Sequence, residues 1–224
     1  MGAGANGAFN TGVTLGVAGI PGDPSDKAAS FVAASLADVT VPYAAALNPA
    51  TTFSIEVWAK ASASGSGYRT PINSRIATGG DAYGYNLYIA PNNTWEFWTG
   101  GGGASWNVLG GGPTASTTSF DHLVGTYDGA AMGLYVNGVQ VGSPVTVPYA
   151  ANPSARLTIG ASETDEYYFQ GTLDEVAVYS TVLSQARISA HDLAGFTPPS
   201  VPEPGAALLA GVALLLVLAR ARAV

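Results

Sequence analysis

Residues 53–60 read FSIEVWAK, and apolar and polar side chains alternate along them one by one. Phe53, Ile55, Val57 and Ala59 fall on one side, and Ser54, Glu56, Trp58 and Lys60 on the other. A period of two is what an extended strand with one buried face requires; a helix repeats its faces every ~3.6 residues and cannot carry this pattern. Similar short runs recur at 85–89 (YNLYI), 94–99 (TWEFWT), 122–127 (HLVGTY), 133–136 (GLYV), 139–141 (VQV), 156–159 (RLTI) and 171–179 (GTLDEVAVY). Turn-forming residues separate them: Pro91-Asn92-Asn93, Asp128-Gly129 and Asn137-Gly138. Asn-Gly between two short runs is the strongest local hairpin signal, because both residues accept a positive φ. A chain built this way folds as an antiparallel sandwich or barrel. One helix is predicted over 184–193 (SQARISAHDL), with Ser184 capping its first turn.

Composition agrees with an all-β chain. The 224 residues include 29 Gly and 14 Pro, while charged residues make up only 10%. Gly and Pro serve tight turns, and a sequence this apolar and this weakly charged is not a disordered one. Eight Lys and Arg stand against fifteen Asp and Glu, for a net charge of −7. Two of the bases, Arg220 and Arg222, sit at the C-terminus, so the body is more acidic still. That sign repels phosphates and argues against nucleic acid as a partner. The chain contains no Cys, which excludes disulfides, thiol nucleophiles and thiolate metal sites.

The chain ends VPEPGAALLAGVALLLVLARARAV. Pro202 and Pro204 stiffen the start of this tail, and residues 205–219 carry no charge before Arg220 and Arg222. As a helix, the segment 205–219 is about 22 Å long, short of a ~30 Å hydrocarbon core but able to span with local thinning. A buried core helix would need a polar face, and this segment has none. The terminal arginines orient such a span with the C-terminus in the cytoplasm and the body outside. Pro202-Glu203-Pro204, a short apolar helix and a basic end together resemble the PEP-CTERM sorting signal. The resemblance implies an exported bacterial protein, held in the inner membrane by its tail and processed at the tripeptide by an exosortase-type enzyme. It further implies a final location at the cell surface or in the extracellular matrix. The expected organisation is a domain over 1–196, a linker at 197–201 and the sorting signal with its transmembrane helix at 202–224. The first residues, MGAGANGAFNTGVTLGVAGIPGDP, lack the basic and apolar regions of a signal peptide. The expectation is therefore that the natural start lies upstream.

The strand landmarks FSIEVWAK, HLVGTYDG, LYVNGVQVG, LTIG and FQGTLDEVAVYSTVLSQARI resemble, in order and spacing, the LamG-like jelly roll of the concanavalin A-like lectin/glucanase superfamily. The resemblance covers about residues 10–193. It implies two curved antiparallel sheets, a further strand upstream of Asn6-Gly7, and a function in binding carbohydrate or another extracellular polymer. An architectural or adhesive matrix role without a small ligand is the alternative, and a glycoside hydrolase a more distant one.

Three sets of residues are candidates for chemistry. Asp174 shares strand parity with Val176 and Val178, so it is expected to point toward the core. A carboxylate there must be hydrogen-bonded or metal-bound. It either accepts backbone amides or helps hold a structural calcium, which the superfamily resemblance implies as an option. Aromatic faces stack on sugar rings, and Trp58, Tyr85, Trp98 and Trp106 are the candidate ligand-binding residues. Trp58 and Trp98 lie on the polar sides of their strands, whereas Trp95 shares its side with Phe97 and belongs to the core. Glycoside hydrolysis needs two carboxylates flanking one bond. The Glu-x-Asp-x-x-Glu strand pattern of the glucanase relatives is absent, Glu56 has no sequence neighbour to act with, and Glu163, Asp165 and Glu166 fall in a loop. His122 and His191 stand without an evident Ser or Asp partner. The sequence therefore predicts a binding protein, not an enzyme.

Overall fold

Alternation places one face of each strand in the protein interior, and two sheets close on it. The structure is a computed structural model describing residues 6–164 and 166–197. Its strands are β1 (Ala8–Phe9), β2 (Val13–Ala18), β3 (Lys27–Phe31), β4 (Val39–Val41), β5 (Phe53–Ala61), β6 (Arg69–Thr78), β7 (Asp81–Ile89) and β8 (Trp95–Gly100). They continue with β9 (Trp106–Leu109), β10 (Asp121–Tyr127), β11 (Ala131–Val136), β12 (Val139–Gln140), β13 (Val145–Thr146), β14 (Leu157–Ile159) and β15 (Gly171–Tyr179). Among the described residues one α-helix, α1 (Gln185–Phe196), follows. One sheet runs β1-β4-β14-β6-β7-β8-β9, and the other β12-β11-β10-β5-β15-β3-β2, with β13 added beside β11. All described pairings are antiparallel, and consecutive strands repeatedly switch sheet, which is jelly-roll topology.

The core lies between the sheets. Phe53, Ile55, Val57 and Ala59 fill it from β5, Tyr85, Leu87 and Ile89 from β7, and Trp95 and Phe97 from β8. Trp95 is fully buried as its parity predicts, and its indole N–H donates to Asp121 Oδ2 at 2.8 Å, so the ring enters the core without stranding a polar atom. The Asn137-Gly138 turn has positive φ at both residues, 51° and 72°, the geometry that lets β11 fold back onto β12. Ser184 caps α1 by accepting from the Arg187 amide at 3.3 Å.

The strand runs at β5, β7, β8, β10, β11, β12, β14 and β15 were legible from alternation. Strands β1–β4, β6, β9 and β13 carried weaker patterns. In β6 a bulge between Arg69 and Ile72 shifts the register and breaks the period. Between the edges formed by β1 and β2 the sandwich opens into a groove of about 840 Å³, lined by Phe9, Leu15, Phe31, Val39, Val41 and Leu173 among others. Among the described residues no helix is long and apolar enough to cross a membrane. The predicted transmembrane helix 205–219 and the sorting residues Pro202, Glu203, Pro204, Arg220 and Arg222 lie outside the described residues.

Candidate functional site

Each sheet has an outer face, and the two are finished differently. On the seven-stranded sheet, paired residues form a row across β14, β6, β7, β8 and β9: Thr158, Asn73, Asn86, Trp98 and Val108. Among the described residues no helix covers this row. Above it stands a cluster of rings. Tyr68 lies 5.0 Å from Tyr88, 5.6 Å from Trp98 and 5.8 Å from Tyr167, each tilted or edge-on. Tyr88 forms the buried base of the cluster, Tyr68 and Trp98 are half-buried, and Tyr167 is exposed. Tyr167 is held at a φ of 50°, a left-handed conformation that costs a non-glycine residue about 1–3 kcal/mol and that clusters at functional sites. The Trp98 indole donates to Glu96 Oε2 at 2.8 Å, which fixes the ring plane.

Arg75 crosses this face. Its Nε donates to Glu163 Oε2 at 2.7 Å, and its guanidinium lies 4.8 Å from the Trp106 ring centroid and 5.6 Å from that of Tyr88. Arg75 pairs with Gly84, while Tyr88 stands four residues further along β7. Asn86 lies between Gly84 and Tyr88 on the same face of β7. Asn86 is fully buried, and neither its amide nitrogen nor its amide oxygen has a hydrogen-bond partner. In the same row Asn73 donates to Thr158 Oγ1 at 3.2 Å, and its amide oxygen is likewise unpartnered.

Of the four aromatic candidates, the structure brings Trp98 and Trp106 onto this face and removes the other two. Tyr85 is fully buried: it packs 5.2 Å from Phe53, and its hydroxyl donates to the Leu47 carbonyl at 2.7 Å. Trp58 does lie on the outward side of β5, as its parity predicts, but α1 covers it. Its ring stacks on His122 at 4.6 Å, meets Phe196 edge-on at 5.2 Å and is only 3% exposed. Neither offers a ring face to a ligand. Sequence reading missed Tyr68 and Tyr167, which come from loops far apart in the chain; Tyr88, one of the aromatics clustered in the middle third of the sequence, forms the base on which they meet.

The outer face of the eight-stranded sheet is closed by α1. Glu56 is the node. His122 Nε2 at 2.6 Å, His191 Nδ1 at 2.8 Å and the Tyr179 hydroxyl at 2.6 Å all meet its carboxylate. The expectation that Glu56, His122 and His191 stand apart is thus corrected: parity puts Glu56 and His122 on one face, and α1 carries His191 onto them. Burial pushes the Glu56 carboxyl up, but the hydrogen bonds from His122, Tyr179 and His191 outweigh it and bring it down to about 2. A carboxylate so fully bonded and only 4% exposed is a poor base or nucleophile, and no Ser or Thr hydroxyl joins the cluster. It clamps the helix instead. Leu183 and Ile188 bury against Val124 beside it, and Gly195 brings the helix so close that a Cβ there would stand 2.2 Å from the Trp58 ring.

Asp174 requires a second correction. It pairs with Trp58, whereas Val178 pairs with core-facing Ile55, because a bulge between Asp174 and Ala177 resets the register. Asp174 therefore faces away from the core, and the parity shared with Val176 and Val178 in the sequence is broken by one extra residue, at Glu175, where φ is 45°. It is buried nonetheless. The Ile20 amide donates to its Oδ2 at 2.9 Å and the Glu175 amide to its Oδ1 at 3.1 Å. Ligand oxygens of Asp26, Asp174 and Glu175 lie within 4.8 Å of one another, and Asp26 Oδ2 is buried without a hydrogen-bond partner. Gly19 lies against both aspartates: a Cβ there would approach Asp26 Oδ2 to 2.4 Å and Asp174 Oδ2 to 2.6 Å. Burial, reinforced by the neighbouring Asp26 carboxyl, pushes Asp174 up to about 6. Converging hard oxygens that resist sharing a site without a counter-charge are the donor set that suits calcium.

Comparison with known proteins places this geometry. The binding domain of Paraclostridial Mosquitocidal Protein 1 superposes with a TM-score of 0.65 at 13% identity, covering 84% of this chain and 47% of that one. The binding domain of botulinum neurotoxin DC, solved in complex with rat synaptotagmin II, gives 0.63 at 16% identity, covering 85% and 47%. Domain 4 of AbnA, a GH43 extracellular arabinanase from Geobacillus stearothermophilus solved in complex with arabinotriose, gives 0.60 at 18% identity, covering 83% and 86%. The chain spans about half the length of the two toxin domains and most of the arabinanase domain. At these identities the likeness is one of fold. No curated protein matches the sequence. The family whose sequence pattern it does match, Laminin_G_3, extends over residues 34–189, well over half of the chain, and by that match this protein belongs to the concanavalin A-like lectin/glucanases superfamily.

Proposed function

We propose that this protein is a non-catalytic glycan-binding module, and that the outer face of the seven-stranded sheet is its binding site. The observation that carries this reading is the cluster of Tyr68, Tyr88, Trp98 and Tyr167, left uncovered by any helix among the described residues and flanked by Arg75, Trp106 and Glu96. Flat rings stack on the apolar faces of sugars, while charged and amide groups beside them bond to hydroxyls. Solved relatives of the same fold lend support, since the arabinanase domain was captured with arabinotriose. The saturated Glu56 cluster argues against catalysis at the other face. Trp98→Ala and Tyr68→Ala are expected to weaken glycan binding at least tenfold, read by calorimetry, with the melting temperature within a few degrees of the parent. Binding unchanged in both variants refutes this choice of site.

Asp26, Asp174 and Glu175 hold a calcium ion in this reading. The ion would tie the loop that carries Gly19 and Asp26 to β15, and its charge would offset the mutual repulsion of the carboxylates. The tail at 202–224 directs the protein out of the cytoplasm and to the cell surface, through a membrane anchor and an exosortase-type enzyme. Support for this comes from the sequence of the tail, Pro202-Glu203-Pro204 followed by an uncharged apolar stretch and Arg220 and Arg222. Removing residues 202–224 is expected to shift the protein from the membrane fraction to the soluble one without lowering its melting temperature. A truncated chain that melts well below the full one overturns the sorting role.

A further inference from the structure

The geometry points to Asn86 as the residue that reads sugar hydroxyls, and to a neutral saccharide, rather than an acidic one, as the ligand class, with Glu163 as the discriminating residue. This rests on the seven-stranded face being the glycan site. Asn86 is fully buried with both amide atoms unpartnered, and Asn73 beside it has an unpartnered amide oxygen. A buried amide without partners destabilises a fold, and an apolar side chain of the same size would not carry that cost. Polar groups kept against stability mark a place where something else completes them. Here the missing partner has a defined chemistry. Asn86 offers one accepting oxygen and a donating nitrogen side by side, and Asn73 adds a second acceptor. A sugar hydroxyl both donates and accepts, so adjacent hydroxyls of one ring complement this set; a purely apolar ligand or a bare anion does not.

The way to these amides is under Arg75. Arg75 pairs with Gly84 and reaches the ring of Tyr88, the residues two before and two after Asn86 on the same face of β7, and it is held by Glu163 at 2.7 Å and by the Trp106 and Tyr88 rings. Arg75 is thus a strap that a ligand must lift or share. Arg75 uses Nε for Glu163, and no described partner takes its two terminal nitrogens. They can therefore bond to hydroxyls while the ion pair stays intact, and a neutral sugar meets no electrostatic opposition. A uronic or sialic carboxylate would compete with Glu163 for the guanidinium. It would leave Glu163, nine-tenths buried, without its cation, and would approach Glu96 on the same face of a chain whose net charge is already −7. Glu163 therefore acts against acidic glycans rather than for neutral ones.

The test titrates the full chain and three variants, Trp98→Ala, Asn86→Leu and Glu163→Gln, with neutral oligosaccharides (arabinan-, xylan- and glucan-derived) and acidic ones (oligogalacturonate and sialyllactose). The parent is expected to bind a member of the neutral set and to discriminate against the acidic set by tenfold or more. Asn86→Leu is expected to lose binding at least tenfold while melting at or above the parent temperature, a combination that a merely structural asparagine cannot produce. Glu163→Gln frees the Arg75 guanidinium and is expected to gain at least tenfold toward the acidic set. Binding that depends on Trp98 but is indifferent to Asn86→Leu, a large drop in melting temperature for that variant, or a parent that prefers acidic glycans overturns the inference and leaves the site standing. Failure of every glycan to bind, or binding indifferent to Trp98→Ala, overturns the site itself and the inference with it.

Discussion

Glu56→Gln keeps the shape of the side chain at the centre of the helix clamp and removes its charge. The wild-type carboxylate meets three donors, His122 at 2.6 Å, His191 at 2.8 Å and Tyr179 at 2.6 Å. A carboxamide has one accepting oxygen, and its nitrogen donates, so if the oxygen keeps both histidines the Tyr179 hydroxyl must turn from donating to accepting, and all three bonds lose their charge. The size of the loss follows from the ionisation of the wild type. Its carboxyl is brought down from 4.5 to about 2 in the fold, which by linkage corresponds to about 3 kcal/mol of stability. Because the folded value is the depressed one, this stabilisation is complete above the unfolded value of about 4.5 and is lost as pH falls toward 2. At pH 7 the variant should therefore be about 3 kcal/mol less stable in urea denaturation, or melt roughly 6–12 °C lower for a domain of this size. The gap should close on acidification, because protonated Glu56 has lost what the variant lacks. A gap under about 0.5 kcal/mol at pH 7, or one of equal size at pH 7 and pH 2.5, refutes the assignment of Glu56 as an ionised clamp.

Gly195→Ala would normally stabilise a helix by about 1 kcal/mol, but here the added methyl meets the Trp58 ring at 2.2 Å. The expected outcome is a destabilisation of about 1–3 kcal/mol in urea melts, with slackened amide-exchange protection in α1. Calcium should raise the melting temperature at pH 7.5. The effect should shrink below about pH 6, where Asp174 takes up a proton in the metal-free fold. Without metal the sign reverses. The folded value of Asp174 is raised above 3.8, so the metal-free protein gains stability as pH falls through about 6, and Asp174→Asn should be the more stable protein at pH 7.5 while ignoring calcium. Calorimetric melts with calcium and with chelator, at pH 5 and pH 7.5, check both statements.

Alternation made the sandwich legible because a strand with one buried face must repeat every second residue. β5 follows that rule from Phe53 to Ala61 without interruption. It failed where a single extra residue entered a strand. The bulge at Glu175 turned Asp174 to the opposite face from the one its neighbours implied, and the bulge near Pro71 hid β6. It also had no means of telling outward from exposed. Trp58 and Trp98 carry the same signal, an aromatic on the polar side of a strand. One is 3% exposed under α1 and the other remains half-open. What separates them is a helix more than a hundred residues further along the chain, and no local pattern reports its docking site.

That difference between the two outer faces orders the functional residues of the whole molecule. Where α1 covers the sheet, the carboxylate of Glu56 is satisfied three times over, apolar neighbours such as Val124 and Ile188 close around it, and a glycine is spent on close approach. Even here His122 Nδ1 and Asp192 Oδ1, 3.8 Å apart, make no hydrogen bond. On the other sheet no helix arrives among the described residues, a tyrosine is held in a left-handed conformation, rings stand tilted and partly open, and a buried amide keeps both its atoms unpaired. Each of these features costs stability. What sets this face apart is not the cost alone but its place: the unpaired amides of Asn73 and Asn86 lie beside rings that remain partly open. A sugar in the proposed site would lay its apolar face on Tyr68 and Trp98 and turn its hydroxyls to those amides.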